Sequence, residues 1–114
     1  MKFRVFKFKK VKSTNNTAIR IIKNSKLDYG MIISEIQSNG KGQYGKKWIS
    51  YKGNIFVSFF YKLKGLSISS KKITKLNCLL VRKLLSVYYK NEIIYKKPND
   101  LLIKRKKICG ILQE

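Results

Sequence analysis

Residues 40–48 read GKGQYGKKW, and a helix cannot comfortably run through them. Each glycine in a helix interior costs about 1 kcal/mol relative to alanine, and three fall within six residues. On either side lie runs rich in β-branched and aromatic residues, at 31–37 and 54–61. The chain must therefore pass from strand through a glycine-rich loop to strand, which commits it to a sheet-containing fold.

The flanking segments extend that pattern. Residues 2–11 nearly alternate apolar and basic, but Phe3 and Val5 share one face while Phe6 and Phe8 fall on the other. This reads as a strand with one mostly wet face, with a bulge near Val5-Phe6 to restore the register. Ser13, Thr14, Asn15 and Asn16 form a capping cluster ahead of a short helix expected at 17–26, burying Ala18, Ile21 and Ile22. Ser69 and Ser70 cap a longer helix expected to reach Tyr89. Its positions Ile73, Leu76, Leu80, Leu84 and Val87 step by three and four, as a core-facing stripe requires. Three short strands at 92–95, 101–103 and 108–112 complete the reading. The expected fold is a single α+β unit with a mainly antiparallel sheet and two helices. The chain is expected to stop inside a buried hairpin, as a truncated piece of a domain would.

Composition narrows the chemistry. With 27 Lys plus Arg against 5 Asp plus Glu, the net charge is +22. A polyanion binder would look like this. The basic residues, however, are nearly all Lys, are spread evenly, and accompany many Ile and Asn, as an A/T-rich genome would also produce. There is no His, which removes His-based triads and His metal ligands, and the two cysteines, Cys78 and Cys109, form no metal-binding pattern. That cysteine usage fits a reducing cytoplasm. The N-terminus lacks the apolar core of a signal peptide, and no stretch of 18 apolar residues exists to cross a bilayer.

Three segments could carry chemistry. The 40–48 loop can curl its N–H groups around a phosphate or acyl-phosphate, with Lys41, Lys46 and Lys47 adding charge and Trp48 anchoring its end; a plain basic turn would look similar. It lacks the GK[ST] ending of a Walker loop. Lys97-Pro98-Asn99-Asp100 presents Asn99 and Asp100 after a strand, either as functional groups or as an ordinary Asx turn. In KKICGIL, residues 106–112, Lys107 enters an apolar strand and could point into a pocket.

In order and spacing these segments resemble the biotin–protein ligases. That family carries a Ser-Thr-Asn segment, a Gly-Arg-Gly-Arg-x-Gly-Arg loop ending in Trp, a Lys-Trp-Pro-Asn-Asp-Leu motif and a Lys-(Ile/Leu)-x-Gly-Ile-Leu-x-Glu strand. The counterparts are Ser13-Thr14-Asn15, Gln37 with GKGQYGKKW, KKPNDL at 96–101 and KICGILQE at 107–114. The resemblance covers essentially the whole chain. It implies the amino-terminal portion of a class II aminoacyl-tRNA-synthetase-like catalytic domain, without a helix-turn-helix domain or a C-terminal β-barrel.

It also implies ATP-dependent attachment of biotin, through biotinyl-5'-adenylate, to a lysine of a biotin carboxyl carrier protein of acetyl-CoA carboxylase or a similar carboxylase. Biotin contacts would come from Ser13, Thr14, Asn15, Gln37, Lys41, Gly42, Gln43 and Lys107. The adenylate loop would use Gly40, Lys41, Gly42, Gly45, Lys46 and Trp48, with Asn99 beside it. Lys107 and Asp100 would be catalytic, with Mg²⁺ near Asp100 arriving with ATP and no tightly bound cofactor. No specific nucleic acid and no membrane is implied as a partner.

The sequence departs from the family at several of these places. Lys41 and Lys46 replace loop arginines and lose the bidentate fork, Gln43 loses the charge as well, and Lys97 replaces the motif's Trp. Alternative readings are a lipoate-attaching relative, an inactive remnant and a nonenzymatic nucleic-acid binder.

Overall fold

The computed structural model describes residues 3–114. The chain divides into two compact units, Met1–Gly65 and Leu66–Glu114, each with its own core. The architecture is α+β, with two α-helices and mostly antiparallel strand pairs.

In the first unit, strand β1 (Arg4–Val11) leads through helix α1 (Thr14–Asn24) to β2 (Tyr29–Gln37), and β1 and β2 pair in parallel. A helical crossover is what a parallel pair needs. Strand β5 (Phe56–Tyr61) adds to the other edge of β2 in antiparallel fashion, giving the order β1-β2-β5. Alternation then decides the core. Phe6 and Phe8 of β1, Ile32 of β2 and Phe60 of β5 pack with Ala18 and Ile21 of α1, and Leu27, from the segment after the helix, closes the cluster.

The bulge expected near Val5-Phe6 is absent: β1 stays in register with β2 from Arg4↔Gly30 through Phe8↔Ser34. No correction is needed because both faces of the strand are apolar at its start. Phe3 and Val5 lie on the outer face, and the Phe3 ring packs edge-on against Tyr29 at 5.4 Å and Phe59 at 6.2 Å. Residue 2 of the expected strand lies outside the described residues.

Helix α1 begins three residues before the expected start. The Ser13 hydroxyl accepts the Asn16 N–H at 3.3 Å, and the Thr17 hydroxyl donates to the Ser13 carbonyl at 2.9 Å, so the cap sits at Ser13 itself. Thr14 and Asn15 thereby become first-turn helical residues. The helix ends at Asn24, and Ile22, expected in the core, is exposed.

In the second unit, helix α2 (Ser70–Leu85) is capped by Ser69, whose hydroxyl accepts the Lys72 N–H. Strands β6 (Ile94–Lys96), β7 (Asp100–Ile103) and β8 (Lys106–Gly110) form an antiparallel sheet in sequence order. The buried line of α2 is Ile73, Thr74 and Cys78, continued by Val81 and Leu85 against Ile93 and Leu101. Of the expected stripe, only Ile73 is buried. Leu76, Leu80, Leu84 and Val87 are 53, 55, 60 and 61% exposed. Two stripes about 100° apart both satisfy helical spacing, and the one carrying the small Cys78 side chain took the sheet. Strand β8 ends at Gly110 and pairs along its length with β7.

Candidate functional site

The loop after β2 is a small hairpin. Residues Gly40–Lys41 (β3) pair with Lys47–Trp48 (β4), and a 3₁₀ turn at Gln43–Gly45 joins them. Gly42 N–H donates to the Lys46 carbonyl at 2.7 Å, and Lys46 N–H to that of Gln43 at 3.2 Å. These two amides are thus used inside the loop. Tyr44 and Gly45 close the turn with φ of 57° and 73°, the left-handed region in which glycine is the least costly residue. Trp48 and Lys41 are half-buried, as is Gln43, whereas Lys46 is exposed.

At the base of this hairpin, Ser13, Thr14, Asn15 and Gln37 do come together. Backbone bonds from Ser38 N–H to Val11 O at 3.0 Å and from Asn39 N–H to Lys12 O at 2.8 Å carry the β1–β2 pairing past the strand ends. They bring the start of α1 beside Gln37. Thr14 N–H donates to Gln37 Oε1 at 2.8 Å, and the Thr14 hydroxyl reaches the same oxygen at 3.1 Å. Gln37 Nε2 donates to Ser50 Oγ at 3.1 Å, and Ser50 donates to the Trp48 carbonyl at 3.4 Å. Gly40 is pressed against this group: a Cβ there would lie 2.7 Å from Trp48 O, 2.8 Å from Ser50 Oγ and 2.9 Å from Gln37 Nε2.

Sequence reasoning missed two members of the network. Ser50 is one. Ser58, in the middle of β5, is the other; its buried Oγ lies 2.8 Å from Thr14 Oγ1 and also meets the Asn15 carboxamide. A serine at an inward position of an otherwise apolar strand was the available signal, since a buried hydroxyl needs a partner. The result is a connected cluster of hydroxyls and carboxamides.

The second unit holds the remaining expected residues. Lys107 and Asp100 form an ion pair, Nζ to Oδ1 at 2.9 Å, with the lysine side chain 42% and the aspartate side chain 18% exposed. A β-bulge makes the pairing possible. The β7–β8 register runs Asp100↔Gly110 and Leu101↔Cys109, then shifts so that Leu102 faces Lys107. Cross-strand partners share a face, so Cys109 sits with Leu101 in the core while Lys107 sits with Leu102 and Asp100 on the other side. Burial pushes the Cys109 thiol up from its ordinary pKa, and the Asp100 carboxylate adds to this while the Lys107 ammonium opposes it. Burial likewise raises the Cys78 thiol, helped by Cys109 and Asp100.

Asn99 has a structural task. Its Nδ2 donates to the Ile111 carbonyl at 3.0 Å while Ile111 N–H donates to the Asn99 carbonyl at 2.9 Å, tying the β6–β7 turn to the residue after β8. Among the described residues no group of three or more His, Cys, Asp or Glu could cage a metal, and no helix is long and apolar enough to cross a membrane.

Residues 6–114 match the model of the biotin/lipoate A/B protein ligase family. The chain belongs to that family, and its likeness is to the catalytic domain of the biotin protein ligases. It is 29% identical over 83 residues to the bifunctional ligase/repressor BirA of Escherichia coli, an alignment covering 72% of this chain and 26% of that protein. The BirA of Bacillus spizizenii is 28% identical over 105 residues, covering 91% of this chain and 32% of the relative. The biotin protein ligase of Aquifex aeolicus, solved in complex with biotin and ATP, superposes with a TM-score of 0.82 at 28% identity, over 97% of this chain and 46% of that one. The Helicobacter pylori biotin acetyl coenzyme A carboxylase synthetase shares the fold with a TM-score of 0.84 at 24% identity, over 97% and 54%. The chain thus spans about half of these solved structures, and 26 to 32% of the BirA proteins it matches.

Proposed function

We propose that this chain supplies biotin-recognition and activation residues of an ATP-dependent biotin–protein ligase. In the reaction, a biotin carboxylate oxygen attacks the α-phosphorus of ATP and pyrophosphate leaves. A carrier lysine then attacks the carbonyl of the mixed anhydride, forming an amide and releasing AMP. The natural acceptor in this reading is a biotin carboxyl carrier protein of acetyl-CoA carboxylase or a similar carboxylase, in the cytoplasm.

The observation that carries the reading is the hydroxyl–carboxamide cluster of Thr14, Asn15, Gln37 and Ser58. Biotin's ureido ring brings two N–H donors and one carbonyl, and burying them unpaired would cost 1–3 kcal/mol per group, roughly. The same cluster speaks against lipoate, whose dithiolane ring has no such groups to satisfy. The hairpin at 40–48, with Lys41 partly buried and Lys46 exposed, is suited to folding over a phosphate-bearing ligand. Lys107 supplies an ammonium for the biotin carboxylate and α-phosphate, which repel each other until a cation lies between them, and Asp100 holds that ammonium in place. Magnesium belongs with the nucleotide as MgATP, bound chiefly through its phosphates.

The test is direct. Purified protein is incubated with MgATP, biotin and a biotin-carrier domain, and the carrier is probed with streptavidin. Labelling that needs ATP and the carrier lysine is expected, and lipoate should not replace biotin. A carrier that remains unlabelled, or takes lipoate equally well, removes the reading.

A further inference from the structure

The turn between β7 and β8 carries charge where the backbone favours other residues. Ile103 pairs with Lys106, so Lys104 and Arg105 are the two central residues of this hairpin. Their φ values are 49° and 65°, in the left-handed region that a two-residue type I′ turn requires. Asn-Gly is the least costly pair there, and a side chain of ordinary length is held against a steric penalty. Asn codons are as rich in A and T as those of Lys, so a composition bias does not account for Lys-Arg at this point. Lys104, Arg105, Lys106 and Lys107 make the longest unbroken run of cations in the sequence, and all four are exposed. Among the described residues no carboxylate pairs with Lys104, Arg105 or Lys106, whereas Lys107 is paired with Asp100.

We propose that this turn is a docking element for the carrier protein, and that the carrier surface it fits is acidic around the acceptor lysine. The proposal rests on the biotin reading above, in which Lys107 stands beside the reacting carboxylate and phosphate. Arg105 lies two residues from Lys107 along the chain, roughly 7 Å at the rise of a strand, within the screening length of about 8 Å at physiological salt. An incoming lysine is itself an ammonium until it loses its proton, and it approaches a chain of net charge +22. Carboxylates flanking the acceptor offset that repulsion and give Lys104 and Arg105 their partners, so the acceptor is steered toward Lys107. Nucleic-acid phosphates would meet the same charges, but the closeness of the turn to Lys107 favours the carrier. In this scheme the turn touches neither biotin nor nucleotide, and its contribution falls on the carrier step alone.

A Lys104→Asn, Arg105→Gly double variant removes both charges and relaxes the turn, so its urea midpoint should not fall. With a biotin-carrier domain as substrate, its carrier KM should rise roughly three- to tenfold, the factor for two exposed ion pairs, with kcat and the biotin KM within about twofold of wild type. Biotin-dependent ATP–pyrophosphate exchange, which needs no carrier, should be unchanged. The wild-type carrier KM should climb with added salt, and climb less in the variant. Replacing the carrier's own carboxylates beside its acceptor lysine by amides should erase the difference between the two proteins. An unchanged carrier KM in the double variant, a loss shared with pyrophosphate exchange, or a wild-type KM indifferent to salt overturns the proposal. A loss confined to the binding of duplex DNA also overturns it and gives the turn to nucleic acid. Failure of the biotin reading shows separately, as wild-type protein that neither exchanges pyrophosphate nor labels the carrier. Titration of the unbiotinylated carrier domain onto both proteins, followed by fluorescence anisotropy, then still decides the docking: weaker binding by the double variant supports it, and equal affinities reject it.

Discussion

The Lys107–Asp100 pair offers a quantitative test of how the second unit presents its cation. The separation of 2.9 Å makes a close ion pair, although Asp100 Oδ1 has no hydrogen-bond partner of good geometry, and the two side chains differ in their access to water, at 42% and 18% exposure. Exposed pairs contribute about 0–1 kcal/mol, and losing one partner of a fully buried pair costs about 3–5 kcal/mol. The lysine here is more than one-third exposed, so solvent screening pulls the value toward the lower range. Lys107→Met, which strands the less exposed carboxylate, should cost about 1–2 kcal/mol on this scale. Asp100→Asn should cost less, because the released ammonium can turn to water. The double variant should recover about 1 kcal/mol relative to the sum of the singles. Urea denaturation of the four proteins at neutral pH and low salt measures the cycle, and the coupling should shrink in high salt. A coupling indistinguishable from zero would mean that the ion pair does not hold the ammonium, and the role given to Asp100 would go with it.

Two further outcomes follow from the geometry. Gly40→Ala puts a methyl group under 3 Å from Trp48 O, Ser50 Oγ and Gln37 Nε2; it should cost about 1–3 kcal/mol of stability and weaken biotin binding in calorimetry, and unchanged affinity would separate the hairpin base from the ligand site. Cys78 and Cys109 both have raised thiol pKa values, so the folded state keeps protons that the unfolded state releases. Their contribution is therefore complete below the ordinary thiol value of 9.0 and is lost as pH climbs through the higher folded values. The urea midpoint should fall as the pH rises above 9.0, and fall less in a Cys78→Ala, Cys109→Ala double variant; parallel curves would contradict this.

Much of the strand-loop-strand core was legible because alternation and glycine placement are local signals. Ile32 and Phe60 reach the core by the period of two that their strands display. The helix faces were less legible. In α2 the sequence offers two apolar stripes, and only the fit of Cys78 against Leu101 and Ile93 selects between them. Thr14 and Asn15 were read as lying ahead of the helix because four consecutive capping residues compete for one cap, and Ser13 took it. At the site, Ser13, Thr14, Asn15 and Gln37 could be named from their motifs, and the structure places them side by side. Ser50 and Ser58 could not, since their partners lie 13 and 44 residues away in sequence. For Asn99 the sequence left a functional group and an ordinary turn residue both open, and it carried no sign that its Nδ2 would anchor the backbone at Ile111.

The register shift between Leu101 and Leu102 separates two design problems that a regular strand would tie together. In uninterrupted β8, Lys107 and Cys109 would project to the same side, and any sequence that kept the thiol against Leu101 would drag the cation into oil. One supernumerary residue uncouples them, so the hydrophobic half of the strand can evolve without steering the charge. Removing Ile108 would make Lys107 and Cys109 neighbours in a regular strand, still on opposite faces, whereas ironing out the bulge with Ile108 kept would bury an ammonium beside Leu101 or turn the core inside out.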